Sequence, residues 1–252
     1  MKTIKEITTA LKDTEEWQEW MTAIAADERA GVQKAWQSWQ KRQEKKKQLL
    51  LEHQAKINFD RSYGTPGAMI AGVDEAGRGP LAGPVVTAAV ILPENCAALV
   101  GLNDSKQLSK EKRTAFAMLV KKYALSYSVH FQSAEMIDTL NIYEATKQSM
   151  KCSVEALTIQ PEYVLVDAMT LPIAIPQDSI IKGDAKSLAI AAASILAKTA
   201  RDEYMEELDK EFPMYGFAKH AGYGTKQHLE ALETYGATVH HRKSFEPIKS
   251  MF

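Results

Sequence analysis

The chain has 252 residues, of which 45% are apolar and 25% are charged. This composition is that of an ordinary globular protein and excludes a collagen, a coiled-coil rod and a wholly disordered chain. The formal net charge is -1, which does not by itself indicate a nucleic-acid partner, and no apolar run approaches the roughly 18 residues of a membrane span.

The first 66 residues predict a helical extension. The N-terminal sequence MKTIKEITTA lacks the apolar core of a secretory signal. Gly31 is the only glycine before Gly64, and no proline precedes Pro66. Glycine and proline punctuate turns, so their scarcity predicts helices over about residues 4–58. The sequence RSYGTPG at 61–67 supplies the first cluster of helix breakers, and we place the domain boundary between residues 66 and 67.

This extension combines aromatic residues with a basic run. All four tryptophans lie within the first 40 residues: Trp17, Trp20, Trp36 and Trp39. We expect them to pack two helices together as a hairpin that turns at Gly31. Residues 31–61 contain eight basic and three acidic residues, a balance of +5, including the run KRQEKKK. Such clustered charge suits phosphate contacts, whereas a solvated face or a protein partner is the alternative, and no partner protein can be named.

After residue 66, short β-branched runs alternate with helical stretches. Strands are predicted at 69–73, 84–92, 126–132, 163–166 and 179–182. Helices are predicted from Ser109, over 133–157, over 187–212 and over 225–235. This order predicts an α/β domain with a mixed sheet. Cys96 and Cys152 have no zinc-binding spacing, so we expect two reduced thiols and a cytoplasmic location.

Acidic residues stand where three predicted strands end. Asp74 and Glu75 close the first strand, Asp167 closes the strand YVLVD, and Asp184 follows SIIKG. Open α/β sheets place their sites at strand ends. Converging carboxylates repel one another unless a cation holds them, and oxygen ligands suit Mg²⁺ or Mn²⁺. Because successive side chains on a strand alternate, Asp74 and Glu75 can share a site only if the strand bends or ends there.

Other polar residues have a structural and a functional interpretation. The turn Gly77-Arg78-Gly79 allows close approach of a ligand to the backbone, or is a plain turn. Lys106, in the sequence DSK, suits phosphate but is unremarkable alone. A glycine-flanked tyrosine, Tyr223, can present its ring to a sugar or fill the core. Three histidines lack a metal-binding spacing and are expected at the surface: His220, His240 and His241.

Taken in order, the stretches GVDEAGRGPLAGPVV, DSKQLS, LVDAM, IIKGDAKSLAIAAASILAK and GYGTKQHLEAL resemble the type 2 ribonuclease H family, ribonuclease HII. The resemblance covers roughly residues 69 to 246, and its long first motif is highly specific. It implies a ribonuclease H-like α/β fold, with a mixed central sheet flanked by helices, preceded here by an all-helical extension. Residues 1–66 lie outside the resemblance and are expected to inherit nothing from it.

The resemblance also implies roles for particular residues. The catalytic, metal-binding carboxylates are expected to be Asp74, Glu75, Asp167 and Asp184. The residues expected to contact the ribose side of the substrate are Gly77, Arg78, Gly79 and the sugar-stacking Tyr223. The expected phosphate contacts are Lys106, Ser187, Ser194 and Lys198. Ala221 stands where relatives often have a lysine, and Lys219 is a candidate substitute.

The implied activity is that of a metal-dependent endoribonuclease. It would hydrolyse the RNA strand of RNA–DNA hybrids and incise at ribonucleotides in duplex DNA, leaving a 5′-phosphate and a 3′-hydroxyl. Two Mn²⁺ or Mg²⁺ ions about 4 Å apart would serve this chemistry. In this scheme Asp74 bridges them, Glu75 and Asp184 hold one ion, and Asp167 holds the other.

Three alternatives stay open at this stage. A type 3 ribonuclease H would use the same chemistry with another N-terminal domain, although the glycine–arginine–glycine turn argues against it. A fold-related nuclease acting on DNA junctions would not require a 2′-hydroxyl in its substrate. A non-catalytic nucleic-acid-binding module would need structural carboxylates and would be indifferent to the loss of Mg²⁺.

Overall fold

A computed structural model describes residues 2–103, 105 and 108–251. The chain divides into two compact units, Met1–Gln54 and Ala55–Phe252. The division lies within one long helix, ahead of the glycine and proline cluster on which the predicted boundary at 66/67 rests. That boundary stays a prediction about domains. Within the described residues no helix is long and apolar enough to cross a membrane.

The first unit is helical, as predicted. Its helices are α1 (Ile4–Asp13), α2 (Met21–Ala25) and the first part of α3 (Ala30–Arg61). Thr3 and Glu6 form a reciprocal capping box that fixes the start of α1. The buried apolar residues of this unit are Ile7, Leu11, Met21, Ile24, Val32 and Trp39. They bury the apolar sides of three helices against one another.

The predicted hairpin is wrong in its details. Gly31 lies in the first turn of α3, so the break between α2 and α3 comes before it. Trp17 precedes α2 and is 60% exposed, so it does not take part in the helix packing predicted for the four tryptophans. Trp36 and Trp39 do pack together, with ring centroids 5.1 Å apart. The Nε1–H of Trp39 donates to the carbonyl of Thr14, which explains why a large indole can be buried there.

The second unit contains a five-stranded mixed sheet in the order β3-β2-β1-β4-β5. Its strands are β1 (Ile70–Ala76), β2 (Val85–Ile91), β3 (Ser126–Gln132), β4 (Tyr163–Asp167) and β5 (Gln177–Ile180). β1 pairs antiparallel with β2 and parallel with β4, and β4 pairs parallel with β5. The predicted α/β class with a mixed sheet is therefore confirmed.

Helices cover both faces of this sheet. Their ranges are α4 (Lys110–Tyr123), α5 (Ala134–Leu140), α6 (Ile142–Glu155), α7 (Gly183–Lys186), α8 (Leu188–Glu211), α9 (Phe217–His220), α10 (Lys226–Tyr235) and α11 (Ile248–Met251). Ser109, Ser187 and Thr225 cap the helices that follow them, at the positions where the sequence predicts helix starts. α6 packs on one face of the sheet and α8 on the other.

Two predicted elements differ in position. The helix predicted over 133–157 is two helices, because Asn141 adopts a left-handed φ of 69° and its side chain caps α6. The strand predicted at 179–182 ends earlier, at Ile180, and Lys182 has a left-handed φ of 56°. Asp184 consequently lies in the short helix α7 rather than directly after a strand.

The small residues at the start of α8 allow it to lie close to the central strand. A Cβ atom built on Gly72 of β1 would be 2.1 Å from the carbonyl carbon of Ala189. No side chain fits in that space, so the backbones of strand and helix are in direct contact. This confirms the interpretation of the alanine-rich stretch as close helix–sheet packing.

We predict that Gly72→Ala destabilises the protein by at least about 3 kcal/mol, because α8 must move away from β1 to make room for one methyl group. Thermal or urea denaturation measures the loss. Gly79→Ala is the matched control, since its Cβ would lie at an ordinary contact distance of 3.6 Å from the nearest atom. A Gly72→Ala protein as stable as this control would refute the packing argument.

Candidate active site

The register of two parallel strands brings Asp74 and Asp167 together. Val73 of β1 is paired with Val166 of β4, so the next residue on each strand is an aspartate. Paired residues on neighbouring strands direct their side chains to the same face of a sheet. Oxygen atoms of Asp74, Asp167 and Glu75 all lie within 4.8 Å of one another. Three of the four predicted metal-binding carboxylates thus form one cluster.

Asp74 is the buried member of this cluster. Its side chain lies on the α8 face of the sheet and is only 5% exposed. Burial raises the pKa of this carboxyl well above its ordinary value, and the negative charges of Glu75 and Asp167 raise it further. A hydrogen bond from Ser194 of α8 and one of 2.7 Å from the backbone N–H of Glu75 oppose this shift.

Glu75 joins the cluster although it follows Asp74 directly on the strand. The sequence predicts that the strand must bend or end there, but β1 continues to Ala76. It is the neighbouring strand that ends, because β4 stops at Asp167. Glu75 therefore lies beyond the last residue of β4. A guanidinium nitrogen of Arg78 lies 3.5 Å from its carboxylate.

Asp167 and Asp184 are connected through the backbone of α7. One carboxylate oxygen of Asp167 accepts a hydrogen bond of 2.7 Å from the N–H of Gly183. Asp184 is the next residue, and its carbonyl accepts a hydrogen bond of 3.1 Å from the Lys56 ammonium. Asp184 is not among the three carboxylates that lie within 4.8 Å of one another. Its assignment as a ligand stays a prediction.

The donors of this cluster fit a hard divalent cation. All three are carboxylates, and oxygen ligands are what Mg²⁺ and Mn²⁺ prefer. The raised pKa of Asp74 shows that the charged form lacks sufficient compensation in the protein alone. A cation among the three oxygens would supply that compensation.

The predicted glycine–arginine–glycine turn lies immediately after β1. Gly77 has a left-handed φ of 91°, and a Cβ there would overlap the side chain of Arg201 at 1.9 Å. Arg78 and Gly79 are exposed. The carbonyls of Gly77 and Arg78 accept hydrogen bonds from the fully buried guanidinium of Arg242. Sequence reasoning missed this arginine, because nothing in its local sequence, HHRKS, indicates burial.

Tyr223 lies against this turn. A Cβ on Gly79 would be 3.6 Å from Cε1 of the Tyr223 ring. The Tyr223 side chain is 49% exposed, so it does not fill the core and can be reached by a ligand. The turn and the tyrosine, which are both expected to contact the substrate sugar, are therefore adjacent. Their role in binding stays a prediction.

The expectation of surface histidines is wrong for His241. It is 1% exposed, and its Nε2 lies 3.0 Å from Nε2 of the fully buried His228. Burial lowers the pKa of His241 to about 4, so the ring is neutral at pH 7. His220 stacks on His228 with a centroid distance of 4.7 Å. The chain positions of these residues carry no recognisable spacing, and the pairing arises only from the fold.

The predicted phosphate contacts lie in different environments. Ser187 is fully buried and caps α8 by accepting from the N–H of Ile190. Ser194 is buried beside Ser105, at 3.2 Å, and close to Asp74. Lys198 is half-buried and forms a 2.6 Å ion pair with Asp202. Lys106 lies outside the described residues. Lys198 is thus the described candidate with an accessible charged group.

Comparison with known proteins covers both units of the chain. Residues 71–248 match the family model described as ribonuclease HII. Residues 3–64 match the model described as the ribonuclease HII N-terminal domain. The extension was expected to inherit nothing from the family, and that expectation is wrong. A ribonuclease HII from Bacillus cytotoxicus is 52% identical over 99% of this chain and 96% of its own length.

Solved structures give the same result for the fold. The ribonuclease H2 of Pyrococcus horikoshii is 28% identical, with a TM-score of 0.64 over 72% of this chain and 96% of that one. A structure of Bst-RNase HIII in complex with Mn²⁺ shares the fold, with 20% identity and a TM-score of 0.56 over 72% and 68%. The chain therefore belongs to the ribonuclease HII family, metal-dependent endoribonucleases that cleave the RNA of RNA–DNA hybrids.

Proposed function

We propose that this enzyme also incises duplex DNA at embedded ribonucleotides, leaving a 5′-phosphate and a 3′-hydroxyl. The observation that carries the proposal is the proximity of an acidic cluster, an exposed glycine-rich turn and an exposed tyrosine. A binding site that contacts one sugar needs only a single 2′-hydroxyl, which is the group that distinguishes RNA from DNA at a given position. It does not need a continuous RNA strand.

Asp74, Glu75, Asp167 and Asp184 are the proposed ligands of two divalent ions, Mg²⁺ or Mn²⁺. Bound ions of this kind activate a water molecule and stabilise the leaving oxygen of a phosphodiester. Support comes from the oxygen-only donor set and the raised pKa of Asp74. The hydrogen bond from Gly183 N–H holds the Asp167 carboxylate in place.

Arg78 is suited to a second role at this site. Its guanidinium lies 3.5 Å from the carboxylate of Glu75, and its side chain is 41% exposed. It therefore links the acidic cluster to the sugar-reading turn. The positively charged guanidinium of Arg78 can also attract the phosphates of the substrate, which the three carboxylates would otherwise repel.

The N-terminal unit is proposed to strengthen substrate binding without taking part in the chemistry. Lys41, Lys45, Lys46 and Lys47 are exposed on α3. Lysines that neutralise phosphates contribute affinity that is independent of base sequence and falls with salt. We also propose a cytoplasmic location, because the similar proteins come from bacteria, in which DNA lies in the cytoplasm.

We predict that Asp74→Asn lowers the cleavage rate at least about a thousandfold, since it removes a carboxylate that metal-assisted hydrolysis needs. The assay is cleavage of duplex DNA carrying one ribonucleotide, with and without Mn²⁺ or Mg²⁺. Asp13→Asn, on the exposed end of α1, is the control and should keep full activity.

The same variant should be more stable than the wild type in the absence of metal. The folded-state pKa of Asp74 lies above its ordinary value of 3.8. Its contribution to stability is therefore lost as pH rises from about 4 through the folded-state pKa. At pH 7 the neutral amide of the Asp74→Asn variant avoids this loss. An active Asp74→Asn enzyme would refute the catalytic assignment, and a large loss of metal-free stability would indicate a structural carboxylate.

Tyr223→Ala should impair cleavage of the single-ribonucleotide duplex by roughly tenfold, because the ring supplies contact area to one sugar. The effect on a long hybrid should be smaller, since a hybrid offers many alternative registers. Tyr223→Phe, which keeps the ring, should retain activity, as should Tyr235→Ala, which removes a tyrosine that is 59% exposed elsewhere. Equal losses of cleavage activity on both substrates would count against Tyr223 as the residue that contacts the sugar.

Replacement of Lys41, Lys45 and Lys47 by Gln should raise KM, leave kcat unchanged and make log Kd less dependent on log salt concentration. Replacement by Arg at the same positions keeps the charge and should preserve the wild-type slope. Substitution is preferable to truncation before Ser62, which would also remove Lys56 and Asp60 from the second unit. If the Gln variant binds as tightly as wild type at low and moderate salt, a protein partner becomes the better explanation of the basic run.

A further inference from the structure

Two arginines of the second unit are buried without an acidic partner. Arg201 of α8 is 1% exposed, and Arg242, which follows His241, is fully buried. Among the described residues, neither guanidinium forms an ion pair with a carboxylate. Burial of a charge is unfavourable unless hydrogen bonds compensate for the lost water. Each guanidinium must therefore be held by specific acceptors.

The acceptors of Arg242 are three backbone carbonyls. Its nitrogens donate at 2.6 Å to the oxygen of Gly77, at 2.8 Å to that of Arg78, and at 3.0 and 2.9 Å to that of Gly83. Burial lowers the pKa of Arg242 to about 9, so it still carries its charge at pH 7. Two of the three carbonyls belong to the glycine–arginine–glycine turn.

Because the peptide group is planar, the hydrogen bonds to these carbonyls also fix the direction of the N–H group in the same peptide. In a trans peptide the C=O of one residue and the N–H of the next point in opposite directions. The carbonyls of Gly77 and Arg78 point inward to the buried guanidinium. The N–H groups of Arg78 and Gly79 therefore point away from it, towards the surface on which both residues are exposed.

These two amides have no acceptor in the described part of the chain. Buried donors are almost always paired, whereas exposed donors at a binding surface are available to a ligand. Successive backbone N–H groups that point outward form a concave site for an anion or an electronegative oxygen. The ring of Tyr223 lies beside Gly79 and borders the same place.

We propose that Arg242 is a positioning residue for substrate recognition: by holding the carbonyls of Gly77 and Arg78 inward, it presents the amides of Arg78 and Gly79 to the bound ribonucleotide. This inference rests on the proposed reading of a single 2′-hydroxyl by the turn. Arg242 itself is fully buried and touches no substrate. It affects binding through the orientation of the two peptide groups whose carbonyls it holds.

Arg201 provides a matched control for this role. It is equally buried and also donates to three carbonyls, those of Ala82, Pro84 and Ala221. None of these belongs to the turn. The atoms of Arg201 that pack against Gly77 are Nε, Cδ and Cζ, of which lysine would keep only Cδ. Arg201→Lys and Arg242→Lys therefore remove similar sets of hydrogen bonds, and only the second removes hydrogen bonds to the carbonyls of the turn.

The test compares the affinities of two duplexes of identical sequence, one all-DNA and one with a single ribonucleotide. Binding is measured in an Asp74→Asn background to prevent cleavage. The background protein should bind the ribonucleotide duplex about tenfold more tightly than the all-DNA duplex. Adding Arg242→Lys should reduce that ratio to about one, whereas adding Arg201→Lys should leave it unchanged at a comparable melting temperature.

A second variant tests the amide directly and does not depend on the folding of Arg242→Lys. Gly79→Pro removes the N–H of Gly79 and should lose the preference for the ribonucleotide duplex. If the background protein shows no preference, the proposed function fails. If the preference exists but survives Arg242→Lys or Gly79→Pro, the positioning role of Arg242 is overturned.

Discussion

The mutual repulsion of three carboxylates is the constraint on which the candidate active site depends. Asp74 is buried, and its pKa is raised by burial and by its acidic neighbours. In isolation this arrangement is unfavourable for folding. The same arrangement favours cation binding, because a cation among the three carboxylates relieves the repulsion that the fold imposes on them. In the proposed function, metal binding and catalysis are thus linked through the same residues.

The rest of the second unit keeps these side chains from moving apart. The parallel register of β1 and β4 places Asp74 beside Asp167. Direct backbone contact between Gly72 and α8 prevents the central strand from shifting, and α8 supplies Ser194 to Asp74. Binding groups at an active site must be held within fractions of an ångström, which rigid strands and helices achieve better than loops. Small residues at the sheet–helix contact are therefore part of the site's support.

Much of this arrangement could be predicted from the sequence, because local signals were strong. β-branched runs marked the strands, capping serines marked α4 and α8, and carboxylates at strand ends indicated a metal site. The boundaries of the N-terminal helices were less accurate, since a lone glycine such as Gly31 was tolerated inside a helix turn. The order of strands in the sheet depends on pairings that no local pattern encodes.

Long-range contacts between polar groups were not predictable. Arg242 bonds to carbonyls about 160 residues earlier in the chain, and its sequence neighbours are polar. His241 is buried by its contact with His228, although the sequence suggested a surface residue. Backbone carbonyls are present at every position, so a sequence gives no sign of which ones receive a buried guanidinium. The residues that orient the candidate substrate-binding turn are consequently visible only in the folded protein.

The central claim is that the three carboxylates form a divalent-metal site, and calorimetric titration of Mn²⁺ tests it most directly. The account predicts saturable binding to the wild-type chain that is lost in Asp74→Asn and in Asp167→Asn, and retained in Asp13→Asn. Unchanged Mn²⁺ affinity in both cluster variants would contradict it.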